Sequence, residues 1–395
     1  MFVNITIMQI KILSSERTER LQIVAAWVIY LFVNLVFCIK YNPFELIHPL
    51  LLLVFYPLLV FGIYKLTANI RIQQKNYFFL ILVCAIILLA LFLWYYIDRW
   101  SVRVDRWSAL SFWSENLKHG KFPYGTPTHL GTYASPFPVW QLFHFPFYLL
   151  GDTAYGQLLC LLIFFVLLFF WRTKINIGGF ALLLALSPCF WWEIAVRSDL
   201  LANMLLLFVF LTAQFYYSAF WDKHKILTAA IVGLFLCTKL LVAIPLFLFF
   251  FPKFIKYGIK DKILFTFTVI ACFLIPFLPF LFGEQSILNH PEYNPFFQQT
   301  RQGSVWLILF GSIILISAAL MWRRMKDLYF LAGIFLFLLV FAVCIRIGLK
   351  TDFISVIFED EFDKSYFNVC IPFFLFIIHE MKKKTFDYSN YHIDY

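Results

Sequence analysis

The sequence predicts an all-α fold: a polytopic transmembrane bundle of about 11–13 helices, including one short pair of half-helices and two juxtamembrane helices in its first large outer loop. Three observations point there. Of the 395 residues, 62% are hydrophobic and 14% charged, against roughly half and a quarter in water-soluble proteins. The apolar residues fall in runs near the length of about 20 that crosses about 30 Å of hydrocarbon. Those runs show no strict alternation, and backbone amides in lipid must be paired within their own segment, so they are helices and not barrel strands.

The first run, Leu21 to Ile39, is longer than the core of a signal peptide, and Lys40-Tyr41-Asn42-Pro43 is no small-residue cleavage site. It reads as a retained helix. Further apolar segments follow at 46–64 and 77–97, and then the longest polar stretch, from about Asp98 to Pro136. A shorter apolar stretch lies at 138–150, and the remaining segments at 154–171, 176–193, 199–218, 226–251, 263–283, 304–322, 328–347 and 366–379. The chain divides into a two-helix extension (1–76), a module containing the loop (77–283, loop 98–138) and C-terminal helices with a tail that is polar and loose from Phe386 (284–395).

The positive-inside rule orients the bundle if 226–252 turns back as two half-helices. Then Lys11, Arg17, Arg20, Lys65, Arg71, Lys75, Arg172, Lys174, Lys223, Lys225, Lys253, Lys256, Lys260, Lys262, Arg323, Arg324, Lys326 and Lys382 to Lys384 share the cytosolic side. Both termini are then cytosolic, and the long loop faces outward. A single span would put the lysines at 253–262 outside. The hairpin also relieves Lys239 of a mid-membrane position, costing about 2.5–3.5 kcal/mol on insertion scales, and lets it meet water or an anion at the apex.

The formal charge of +10 is spread over short loops and not gathered in a patch, a topology signal that excludes nucleic acid as a partner. All eight cysteines lie in or beside apolar runs without metal-ligand spacing, so they read as small core hydrophobes. The chain shows no internal repeat, and with 52 phenylalanines no lipid-facing groove is singled out.

Chemistry is to be sought in the long loop. From Asp105, a helical wheel places Ala109, Leu110, Trp113 and Leu117 on one arc and Ser108, Ser111, Glu115 and Lys118 on the other. This predicts an amphipathic helix lying along the membrane surface. Gly120 and Pro123 end it, Gly125 to Pro138 runs irregularly, and Val139 to Leu150 dips back towards the bilayer. The plain reading of Asp105 is a helix N-cap. Asp98 can pair with Arg99 or Arg103, and Arg197 with Asp199, as interfacial ion pairs worth little.

Asp105, Gly120 and Pro123-Tyr124, following an apolar helix and a short gap, resemble the first outer loop of the GT-C superfamily of polyprenol-dependent glycosyltransferases, near its protein mannosyltransferase, aminoarabinose transferase and bacterial mannosyltransferase branches. The resemblance covers about 77–283, includes a Thr238-Lys239 turn, and extends to Tyr366 in Asp363-Lys-Ser-Tyr. It implies two juxtamembrane helices in the loop and transfer of a hexose such as mannose from a polyprenyl-phosphate carrier to an outer glycan, glycolipid or protein. Many members carry two adjacent acids where Asp105 is followed by Arg106; one carboxylate is thin coordination for a divalent cation, so the resemblance leaves a divalent cation open and firmly implies no cofactor.

Such a transfer needs a group that orients the incoming hydroxyl and cations for the leaving phosphate. The resemblance gives Asp105 the first role. By topology Lys239, Arg103, Arg106, Arg197 and Arg346 are candidates for the second, with Asp98 and Asp199 in a second rank. His129 and Tyr133 in the irregular segment are candidate sugar contacts. Glu359, Asp360, Glu361 and Asp363 read as a solvated acidic run. Other readings are a lipid or polysaccharide transporter or flippase, a polymer ligase, and a structural membrane subunit.

Overall fold

A computed structural model describes residues 2–41, 49–301, 303–359 and 361–380. Asp360, Lys382 to Lys384 and the tail from Phe386 lie outside the described residues. In order the helices are α1 (Phe2–Lys40), α2 (Pro49–Asn69), α3 (Asn76–Tyr96), α4 (Arg106–Lys118), α5 (Pro138–Leu149), α6 (Ala154–Phe170), α7 (Ile177–Ala185), α8 (Pro188–Ala195), α9 (Leu200–Tyr216) and α10 (Ser218–Lys223). They continue with α11 (Lys225–Leu236), α12 (Ala243–Lys256), α13 (Ile259–Leu274), α14 (Leu278–Leu281), α15 (Pro295–Thr300), α16 (Val305–Ala319), α17 (Met325–Gly348), α18 (Phe353–Phe358) and α19 (Ile371–His379).

Among the described residues five helices are long and apolar enough to cross a membrane, and up to seven if each of two bent pairs counts as one span. This is a polytopic helical bundle. Two expected segments are bent. The stretch 176–193 breaks between α7 and α8, which meet at 66°. Pro188 has no N–H to continue the first helix, and Ser187 caps the second by accepting from Phe190 N. The stretches 138–150 and 154–171 become α5 and α6, which meet at 109° across a turn where Gly151 takes φ +109°.

The hairpin at 226–251 is present. Lys253 lies 3.4 Å from Asp222, and Lys225 lies 2.5 Å from Asp261 and over the Tyr257 ring. The segment therefore leaves on the side it entered. That side also holds Lys174 over Tyr216, the Ile175–Glu380 bridge and the Arg324 pairs with Glu19 and Asp327. At the hairpin apex, Phe137 N and Val139 N donate to Thr238 O and Cys237 O, tying it to the start of α5.

The extension α1–α2 closes the α7–α8 break. Tyr30 and Tyr56 donate to the carbonyls of Leu183 and Leu186 at 2.6 and 3.2 Å, and Asn34 Oδ1 accepts from Ser187 Oγ and Cys189 N. A break in a spanning helix frees backbone groups that lipid cannot satisfy, and these side chains replace the lost partners.

The loop helix departs from expectation. The polar arc of α4 is not open to solvent throughout: Ser108, Ser111, Ser114 and Asn116 are buried with Trp107, Leu110 and Trp113, and Glu115 and Lys118 alone within it are exposed. It packs on α5, and its Trp113 meets the rings of Tyr124 and Phe280. Its hydroxyls can be buried because each is bonded: Ser114 to Leu110 O, Ser108 to Asp105 O, and Ser111 to Thr153.

Candidate functional site

Asp105 stands at the start of α4, where its carbonyl accepts from Ala109 N as an N-cap residue does. Its carboxylate makes no capping bond; instead Oδ2 accepts from Thr132 Oγ1. Thr132 is set by a tight turn in which Thr128 N donates to Thr132 O at 2.6 Å and Gly131 takes φ +79°. The side chain most able to cap the helix is thus held sideways, half-exposed, at the rim of the loop. His129 forms a wall beside it: Nδ1 lies 2.7 Å from Ser108 Oγ, Nε2 lies 3.2 Å from Val102 O, and the ring lies 5.3 Å from Trp107. Tyr133 packs on Tyr293 at 5.8 Å, joining the loop to the segment that leads into α15.

Arg106, expected to meet a phosphate, is engaged within the protein. Nη1 lies 2.6 Å from Ser198 Oγ and 3.5 Å from Glu193 Oε1, and Nη2 lies 2.6 Å from Asp363 Oδ2 and 2.5 Å from Ser365 Oγ. Its guanidinium also lies 5.2 Å from the Tyr366 ring centre. Asp363 is therefore an ion-pair partner and not part of a solvated run. Burial alone would raise its carboxyl, but the Arg106 charge and the Ser365 hydrogen bonds outweigh that and hold it below the usual range.

Glu193 was not singled out from the sequence. It is fully buried on α8, accepts from Asn368 Nδ2 at 3.0 Å and Leu201 N at 3.3 Å, and faces Arg106. The signal that could have found it was an acid inside an apolar run, since such residues face a bundle interior and take a partner.

Lys239 and Asp199 form a second buried pair at 2.8 Å, and Trp140 Nε1 donates to the same oxygen at 2.5 Å. The anion that the hairpin apex meets is thus the protein's own carboxylate, from the residue that heads α9. Arg197 does not pair with Asp199. It takes a left-handed conformation, φ 54°, and bonds to Asp152 and to the carbonyls of Trp94 and Ile97, fastening the end of α3. Asp98 accepts from Trp100 N rather than meeting Arg99 or Arg103, and Arg103 is exposed with no partner among the described residues.

Arg346 donates to Gly303 O and lines an open cleft of about 250 Å³ with Arg301, Ile347, Lys350 and Glu361. Arg301 Nη1 donates to Gln298 Oε1 at 3.2 Å, and Gln299 Nε2 donates to Ser135 O at 2.7 Å, tying α15 to the loop. Among the described residues no group of three His, Cys, Asp or Glu side chains is placed to hold a metal ion. No family model, curated protein or solved structure matches the chain.

Proposed function

We propose that this membrane protein is a glycosyltransferase that moves a sugar from a polyprenyl-phosphate carrier to a glycan, lipid or protein acceptor on the non-cytosolic side of the bilayer. The observation that carries the reading is the Asp105 carboxylate, withheld from the helix it heads and presented half-exposed at the loop rim. A carboxylate so placed accepts a hydrogen bond from an incoming hydroxyl and takes its proton as the new bond forms, a contribution of about 10²–10⁴ in rate. The resemblance of Asp105, Gly120 and Pro123-Tyr124 to the polyprenol-dependent superfamily supplies the donor class. Support also comes from the loop's closure: Gly120 takes φ +65° at the end of α4, and Tyr124 donates to Pro136 O at 3.1 Å.

The orientation belongs to the same proposal. The end of the bundle with Lys174, Lys225 and Lys253 faces the cytosol, as the excess of basic residues favours. A single cysteine placed at Lys256 is then unreactive to an impermeant label added to intact cells.

Asp105→Asn tests the chemistry. Among the described residues the Asp105 side chain bonds Thr132 alone, so the variant is expected to express and fold while transfer in membranes falls at least about a hundredfold. Undiminished transfer would sink the assignment. The transporter reading draws on one specific observation, the buried Asp199–Lys239 pair at the broken segment. It predicts lipid movement across vesicles that Asp105→Asn leaves intact and Lys239→Met abolishes.

A further inference from the structure

We propose that the turn from Thr128 to Thr132 clamps Asp105 in the pose that meets an acceptor hydroxyl, with His129 closing the clamp as an imidazolium. Thr128, His129 and Thr132 are then positioning residues for the transfer, a role that rests on Asp105 being its base. The clamp itself stands on hydrogen bonding.

The direction of each bond follows from the hydrogens available. Asp105 Oδ2 accepts, so the single hydroxyl hydrogen of Thr132 is committed to it. Thr128 Oγ1, 2.8 Å from Thr132 Oγ1, must then be the donor of that pair. The two hydroxyls form a directed chain that ends on the carboxylate, and each bond in such a chain polarises the next.

His129 acts on the backbone side of the same residue. Asp105 O and Val102 O are carbonyls and only accept, so Ser108 Oγ commits its hydrogen to Asp105 O at 2.8 Å and His129 Nε2 donates to Val102 O at 3.2 Å. Nδ1, 2.7 Å from Ser108 Oγ, must donate as well. Three bonds need three hydrogens, and Ser108 with a neutral imidazole has two; the imidazolium completes the set. The surroundings suit a cation, with the Trp107 ring 5.3 Å from the imidazole and Trp100 edge-on at 6.2 Å. The charged groups on the elements packed against it are Asp98, Arg99 and Arg103 before α4, and Asp105 and Arg106 at its start; Tyr133 follows on the turn. Arg106 is paired with Glu193 and Asp363, and Arg99 lies over the Trp107 ring, so the two aspartates offset the two remaining cations.

An N-cap aspartate ordinarily accepts from the N–H of the second or third helical residue, here Trp107 or Ser108. The clamp denies α4 that bond and keeps the carboxylate for the acceptor. Histidine ordinarily changes charge between about pH 5 and 8, and loss of one proton leaves one of the three bonds without a hydrogen. Transfer is therefore expected to decline towards alkaline pH.

The test uses the full chain, with polyprenyl-phosphate-mannose as donor to the acceptors of its own membranes. Thr132→Val keeps the Thr128 N to Thr132 O bond but frees the carboxylate to cap α4. Its transfer is expected to fall at least about tenfold at an unchanged or higher melting temperature in detergent, and Thr132→Ser to restore it. Full transfer in Thr132→Val, or a melting temperature that falls with it, overturns the clamp. His129→Gln is expected to show, already at about pH 6, the lowered transfer that the unaltered chain reaches by about pH 8.5, and His129→Arg, a permanent cation with forked donors, to keep transfer across that range. A flat profile in the unaltered chain overturns the imidazolium. Its charge is also read without transfer, from nitrogen NMR of histidine-labelled chain assigned by His129→Gln. At about pH 7 both ring nitrogens are expected to carry protons, and Ser108→Ala, which removes the acceptor of Nδ1, to return the neutral ring. A neutral ring in the unaltered chain overturns the proposal whatever the transfer assay gives. If Asp105→Asn abolishes transfer and Thr132→Val does not, the clamp falls alone. If Asp105→Asn retains transfer, the catalytic reading falls, and the clamp's part in transfer with it.

Discussion

At the loop end of the bundle Arg106 lies between Glu193 and Asp363 with little of its side chain exposed, whereas at the opposite end Lys253 meets Asp222, and Lys225 meets Asp261, near the surface. Both ends pair cations with carboxylates, and the energetics differ. A buried charge has lost its water and depends on its partner, so removing that partner costs about 3–5 kcal/mol. An exposed pair gains little over its separate hydration, about 0–1 kcal/mol. The first end is built to hold α4, α8 and the segment that leads into α19 in one arrangement beside Asp105. The second serves topology more than rigidity.

Several measurements can break or sharpen that contrast. The largest effect is expected from Glu193→Ala, which leaves Arg106 without its buried carboxylate and Asn368 without an acceptor; detergent-solubilised protein should lose about 3–5 kcal/mol of stability in thermal unfolding. A loss below 1 kcal/mol would mean that the network is not desolvated. Next comes Asn34→Ala, which removes the acceptor for Ser187 Oγ and Cys189 N at the α7–α8 break, for a cost of about 1–3 kcal/mol.

Acid should act at the loop end through Asp363. The Asp363 carboxyl titrates below its ordinary value in the folded chain, so its contribution is complete above the unfolded value near 3.8 and is lost as pH falls through the lower folded value. Asp363→Asn should flatten the acid limb of a melting-temperature profile; an identical limb would assign the acid sensitivity to other groups. The smallest effect is expected from Lys253→Ala at the opposite end, within about 1 kcal/mol. A larger loss would show that the hairpin closure depends on that pair.

Much of the fold was legible because hydrophobic length is a local property. The hairpin could be read from Lys239 and from the basic residues on either side of 226–252, since each would otherwise sit on the wrong side of a membrane. The α7–α8 break was in the sequence too, at Ser187-Pro188, but a run judged only by its apolar length hides a proline. The helix wheel of α4 misled because periodicity distinguishes faces without saying what covers the polar one. Ser108, Ser111 and Asn116 are polar and buried, bonded to Asp105 O and His129, to Thr153 and to Thr126.

The candidate site divides in the same way. Asp105 could be picked out from the sequence by its neighbours and by resemblance, and its unexpected orientation depends on Thr132, 27 residues on. Arg106, Arg197 and Lys239 could be named as outer cations. That carboxylates of the protein itself already hold them was not readable, because Glu193 and Asp363 lie 87 and 257 residues from Arg106. The sequence by itself determined an all-α membrane chain, the approximate extents of its helices and the turn at Thr238-Lys239, because crossing hydrocarbon constrains each segment alone. The tertiary structure alone decided which charges are paired, which stand in an open cleft, and where Asp105 points, because a partner is chosen by proximity in space between helices remote in sequence.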